Sequence, residues 1–208
     1  MGVIANRRSI MALFSRDGDI YSHQSRYVMA EKGINAEIVS VPFGEDNEEL
    51  KELNPYNSLP TLIDRELTLY GPGVILEYLD ERFPHPPLMP VDPVSRANVR
   101  LMVYRVDVDL YQRHHAILVS NSERADVLRQ ELLQILLEMV PVFAQKPFFM
   151  NDDYTMIDAV LLPFLWRLPH LGIELPKQAE PLSDYCERMF MRKGFVRSLT
   201  EEDLELRN

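Results

Sequence analysis

Leu59-Pro60-Thr61-Leu62-Ile63-Asp64-Arg65-Glu66-Leu67-Thr68-Leu69-Tyr70 holds two short apolar runs on either side of Arg65-Glu66. Two runs of this length around a polar pair predict a β-hairpin. Pro72 follows at a first-turn position that tolerates proline. Val74, Ile75, Tyr78 and Leu79 then repeat at helical spacing, so a helix is predicted over 72–82.

On the N-terminal side, Ser9 to Phe14 reads as a strand, Arg16 to Asp19 as a turn around Gly18, and Ser22 to Lys32 as a helix. Gly33 stands where a left-handed C-terminal cap belongs. Ala36 to Val41 is a second strand with partial alternation. Glu48 to Leu53 is a short helix, stopped by Asn54-Pro55. A strand–helix–strand unit implies parallel pairing, so 8–84 is predicted to be a small α/β domain with a mixed sheet.

Prolines at 84, 86, 87, 90 and 93 break the pattern. Residues 85–93 are predicted to form a stiff linker in an extended, polyproline-like conformation. From 94 to 208 everything reads helical: Arg96 to Val119, Arg124 to Phe143, Thr155 to Arg167, Pro181 to Met191 and Gly194 to Leu206. The segment from Thr155 is apolar enough to be buried all round.

The chain has 208 residues, 46% of them apolar, and a net charge of −10. That is enough for a core and for one large or two small domains. No apolar run approaches the roughly 18 residues of a membrane span, and no signal-peptide core follows the basic start, Met1 to Arg8. A cytoplasmic protein without membrane contact is expected. The acidic balance and the lack of a basic run argue against direct nucleic-acid binding. The single cysteine, Cys186, reads as a structural thiol. His114 and His115, adjacent on a helix, point about 100° apart and do not chelate together, and His170 has no evident partner. No metal and no cofactor are expected.

The layout resembles the glutathione-transferase superfamily, in which a thioredoxin-like N-terminal domain precedes an all-helical C-terminal domain. Leu59-Pro60-Thr61 resembles that superfamily's cis-proline loop. Thr155-Met156-Ile157-Asp158 resembles its buried N-capping box, in which Thr155 and Asp158 each accept from the other's backbone N–H. A narrower resemblance spans nearly the whole chain. Tyr21-Ser22-His23-Gln24, Ala30-Glu31-Lys32-Gly33, Asp64-Arg65-Glu66-Leu67-Thr68-Leu69 and the run from Glu77 to Pro90 are similar to the stringent starvation protein A family. So is Leu165-Trp166-Arg167-Leu168-Pro169 followed by Leu171-Gly172-Ile173-Glu174. That resemblance implies a homodimeric transcriptional regulator of starvation and stationary phase that binds RNA polymerase holoenzyme, including its sigma factor, without catalysis. It also implies that the partner-binding patch is Phe83, Pro84, His85 and Pro86, with Asp92 at an edge position that is often aromatic in the family.

The alternative is a glutathione-dependent transferase or isomerase; a third reading is a stress protein of this fold with another partner. Tyr21 and Ser22 could in principle hold a thiolate, but they read as a core aromatic and a helix cap. The superposed segment places Asp19 where glutaredoxin-like members carry cysteine, and a carboxylate repels a thiolate. Glutathione-binding members carry an acidic or amide residue followed by Ser before the third helix. Here the pair is Gly71-Pro72, which supplies neither a hydroxyl nor a second N–H.

Overall fold

The computed structural model describes residues 10–45 and 47–207, and the chain divides into two units. The first runs to Pro86 and takes in Lys193–Leu204; the second holds Pro87–Arg192 and the described residues from Glu205. The basic start, Met1 to Arg8, and Ser9 of the predicted first strand lie outside the described residues.

The first unit follows the predicted order: β1 (Ala12–Ser15), α1 (Ile20–Glu31), β2 (Glu37–Ser40), α2 (Glu48–Leu53), β3 (Thr61–Asp64), β4 (Leu67–Tyr70) and α3 (Pro72–Arg82). The strands lie in the order β2-β1-β3-β4. β1 pairs parallel with β2, and β3 pairs antiparallel with both β1 and β4. Leu62 sits opposite Leu13 on one side and Leu69 on the other. Phe14, Val41, Leu50 and Ile63 form an apolar cluster with Val39, Leu53 and Leu59 packed against it. The loop into β3, which contains the cis Leu59–Pro60 bond, is organised by Asn54. Its buried side-chain amide donates to Ser58 O and Thr61 Oγ1, and its Oδ1 accepts from the Tyr56 N–H.

Helix α1 starts two residues before the predicted position, because Asp19 rather than Ser22 caps it. Asp19 Oδ2 accepts from the Ser22 N–H at 2.7 Å, and the Ser22 hydroxyl accepts from the Arg16 N–H. Gly33 takes the left-handed conformation at the helix end, with φ 64°, and the Ile34 N–H donates to Met29 O. Nearly all of α1 is buried, polar side chains included.

The last predicted helix, Gly194 to Leu206, is assigned to the helical domain by the sequence; the structure has two short helices there, α9 (Lys193–Ser198) and α10 (Glu201–Glu205). Residues 193–204 instead belong to the first unit. The reason is the buried cation Arg26. It donates to Asp203 Oδ2 at 2.6 Å, to Ser198 O at 3.2 Å and to Arg16 O at 3.0 Å. His23 Nε2 lies 3.0 Å from Ser198 Oγ, and Tyr27 meets Phe195 edge-on. The approach is close enough that a Cβ on Gly194 would fall 2.8 Å from Glu31 Cα, so only glycine fits there.

The second unit contains α4 (Pro93–Val106), a π-helical turn (Asp107–Tyr111), α5 (Gln112–Val119), α6 (Ser122–Phe143), α7 (Met156–Trp166), a 3-10 turn (Lys177–Ala179) and α8 (Glu180–Phe190). Asp92 caps α4 by accepting from the Ser95 N–H, and that bond holds its carboxyl below the usual range. The helix therefore begins at Pro93, earlier than the predicted Arg96. No helix among the described residues is long and apolar enough to cross a membrane.

Helix α7 is buried from Met156 to Leu165. A helix start away from water must find partners for its N–H groups within the protein, and the predicted capping box provides them. Asp158 Oδ2 accepts from the Thr155 N–H at 2.9 Å, while its Oδ1 accepts from the Phe149 N–H at 2.8 Å and the Tyr185 hydroxyl at 2.7 Å. Burial pushes this carboxyl's pKa up, and the bonds from Phe149, Thr155 and Tyr185 pull against it. Truncating Asp158 strands several buried donors at once. Asp158→Ala is therefore expected to lower the unfolding free energy by roughly 3 kcal/mol in urea titration. A loss below about 1 kcal/mol, the worth of an ordinary cap, would mean that those donors find other partners.

Candidate functional site

Helix α3 ends at Arg82, and the chain leaves it through Phe83-Pro84-His85-Pro86. Phe83 is half-buried, whereas Pro84, His85 and Pro86 are exposed. Arg82 lies over the Phe83 ring, with its guanidinium carbon 5.4 Å from the ring centroid, and its Nε is 3.6 Å from Asp64. The His85–Pro86 peptide is cis.

This segment is not the extended, polyproline-like linker that its proline content predicts. Proline fixes its own φ and removes an N–H, but it does not prevent the chain from bending between residues. Here the carbonyls of Phe83 and Pro86 converge on one buried ammonium. Lys32 Nζ donates to Phe83 O at 2.7 Å and to Pro86 O at 2.6 Å. It also pairs with Asp80 Oδ1 at 2.7 Å, and the Lys32 side chain is 0% exposed. An ammonium has three N–H donors, and these three acceptors match them. The remainder of the predicted linker is anchored in the second unit, where Leu88 and Met89 are buried and Leu88 O accepts from the Met156 N–H.

The family resemblance points to Phe83, Pro84, His85 and Pro86, and the sequence analysis has no signal for Lys32 and Asp80 beneath them. Lysine in the last turn of a helix is ordinarily solvated, and nothing local links it to an aspartate on another helix. Only the depth of α1 in the fold makes it a buried partner.

The other sequence candidates lie elsewhere. Ser22 is fully buried with its hydroxyl oxygen accepting from the Arg16 N–H, and Tyr21 is half-buried on α1. Gly71 caps α3 in a left-handed conformation, φ 88°, without a side-chain hydrogen bond, and Pro72 is the first helical residue. His114 is buried, and desolvation, with Arg167 nearby, pushes its imidazole down to about 3, so it stays neutral. His115 and His170 do not join it in a metal-binding arrangement. Among the described residues no group of three or more His, Cys, Asp or Glu side chains could hold a metal ion. Cys186 is buried, and burial pushes its thiol up to about 12. It lines an open groove of about 430 Å³ in the second unit, floored by Leu165, Leu168 and Ile173 and flanked by Arg207.

Comparison with known proteins agrees with this architecture. The family described as glutathione S-transferase, N-terminal domain, matches residues 9–81. A stringent starvation protein A homolog of Coxiella burnetii is 48% identical over 202 residues, which cover 97% of each chain. Another from Haemophilus influenzae is 44% identical over 203 residues, 97% of this chain and 95% of that protein. Among solved structures, the Tau class glutathione S-transferase from mango superposes with a TM-score of 0.83 at 20% identity, covering 96% of each chain. That last likeness speaks for the fold alone.

Proposed function

Since this chain belongs to the stringent starvation protein A family, we propose that it regulates transcription in starvation and stationary phase by binding RNA polymerase holoenzyme, without catalysing a reaction. The contact surface in this reading is Phe83, Pro84, His85 and Pro86. The observation that carries it is the contrast within the turn: its side chains are exposed while its backbone is held from beneath by a buried lysine. A surface that is ordered before binding loses little entropy on association. An imidazole between proline rings offers apolar area together with one group that can donate or accept.

The transferase alternative finds less support. At the start of α3, where the superfamily binds the γ-glutamyl end of glutathione, Gly71 has no side chain and Pro72 no N–H. At the start of α1, the Asp19 carboxylate and the Ser22 hydroxyl are both engaged with backbone N–H groups. A thiolate there would meet the Asp19 carboxylate, which repels it. Retention on immobilised glutathione would favour the alternative.

A homodimer is part of the same reading. Leu67, Tyr70 and Val74 are exposed in the first unit, and Val94, Leu101 and Tyr104 on α4 in the second. Exposed apolar side chains on β4 and α3, and along α4, suit a two-fold interface. Light scattering at micromolar concentration is expected to give the dimer mass; a monomer mass would contradict it.

The polymerase assignment is tested by pairing a pull-down of the holoenzyme with thermal unfolding of the same variants. His85→Ala is expected to weaken capture by roughly tenfold, the scale of a modest hot spot, with Tm nearly unchanged. Pro84→Ala with His85→Ala is expected to do more, because it adds flexibility to lost contact. Full capture by the double variant would sink the assignment; parallel loss of Tm and capture would show that His85 only packs the turn.

A further inference from the structure

We propose that Lys32 is the positioning residue of the partner surface: its buried ammonium, held by Asp80, fixes the Phe83–Pro86 turn in the shape in which His85 is presented. This rests on the reading that the turn is the contact surface and goes further, because Lys32 is out of a partner's reach.

Three observations carry it. The Lys32 side chain is 0% exposed, so it acts only through what it touches. Its contacts are Asp80 Oδ1 and the carbonyls of Phe83 and Pro86, all between 2.6 and 2.7 Å. These carbonyls sit at the two ends of the four-residue patch, so one cation sets the span across which Pro84 and His85 project. Asp80 lies on α3 and Lys32 at the C-terminal end of α1, and the turn is thereby referenced to two packed helices rather than to its own loop.

The same geometry limits what a partner can recognise. Two of the turn's carbonyls are taken by Lys32. The Phe83 N–H donates to Leu79 O, and Pro84 and Pro86 have no N–H. Docking by strand addition needs a run of main-chain donors and acceptors, and this turn cannot supply one. The partner must therefore read side chains: an apolar surface that accepts the proline rings, with a hydrogen-bonding group placed for the imidazole.

Methionine at 32 keeps the length of the side chain but leaves a carboxylate and two carbonyls without their cation, and these groups would turn toward water. Arginine keeps the charge, yet its planar fork does not fit three acceptors arranged around one compact head. The test uses the full chain, with Lys32→Met, Lys32→Arg, Asp80→Asn, His85→Ala and the double variant Lys32→Met with His85→Ala. Holoenzyme affinity is measured well below each variant's Tm, and the His85 ring signal is followed by NMR.

Folded Lys32→Met is expected to bind roughly tenfold more weakly and to shift the His85 signal while the other histidine signals stay in place. The double variant is expected to bind no more weakly than His85→Ala alone, because both changes act through one turn. If Lys32→Met does not fold, Lys32→Arg and Asp80→Asn carry the same expectations. A role confined to stability would lower Tm and leave the affinity of the folded protein and the His85 signal unmoved, which would overturn the proposal. Additive losses in the double variant would overturn it as well. His85→Ala binding like the parent would instead remove the reading of the patch beneath it, so the two failures are told apart by that single variant.

Discussion

Helix α1 is buried along nearly its whole length and still carries the cationic Arg26, with a second buried cation, Lys32, at the residue that caps its C-terminus. A buried charge without partners costs several kcal/mol, so the chain around α1 must bring acceptors to both. Arg26 draws residues 193–204 onto the first unit through Asp203 and Ser198 O. Lys32 draws the end of α3 and the turn after it through Asp80, Phe83 O and Pro86 O. The need of one helix for counter-charges thus determines where the last helices go and what shape the exposed turn takes.

The scaffold is one that glutathione S-transferases share. The mixed sheet, the cis-proline loop and the buried capping box are scaffold features, and they remain. Each positions backbone without needing a reactive group. What varies on such a scaffold is the set of side chains at its loops. Here Asp19 and Ser22 at the start of α1 accept from backbone N–H groups, and at the start of α3 Gly71 brings no side chain and Pro72 no N–H, while the turn after α3 is exposed and held from within. In the proposed reading, a site for a small thiol peptide has given way to a surface for a large partner.

Much of this was legible locally. The hairpin around Arg65-Glu66, the left-handed Gly33 and the Thr155–Asp158 box depend on neighbours within a few residues, and each can be read from spacing. The placement of α9 and α10 was not legible, because Asp203 is needed by Arg26 from the far end of the chain. The cap of α1 was misread for a subtler reason: Asp19 and Ser22 are both good capping residues, and only the Arg16 N–H, which occupies the Ser22 hydroxyl, decides between them. The chain from His85 is read as extended from its prolines, whereas a buried ammonium holds the bend at 83–86. In the candidate site the four residues proposed for contact came from a family resemblance. Lys32 and Asp80 could be found only once the depth of α1 was known.

The central claim is that the exposed turn beneath which Lys32 lies meets RNA polymerase holoenzyme directly. Site-specific photo-crosslinking measures this without depending on stability. A photoreactive amino acid at position 85, compared with one at the exposed Gln178 in the second unit, is irradiated in the presence of holoenzyme. The account predicts a covalent adduct with a polymerase or sigma subunit from position 85, weakened in the folded Lys32→Met background, and none from position 178. Equal labelling from both positions, or none from position 85 while the complex still forms, would contradict it.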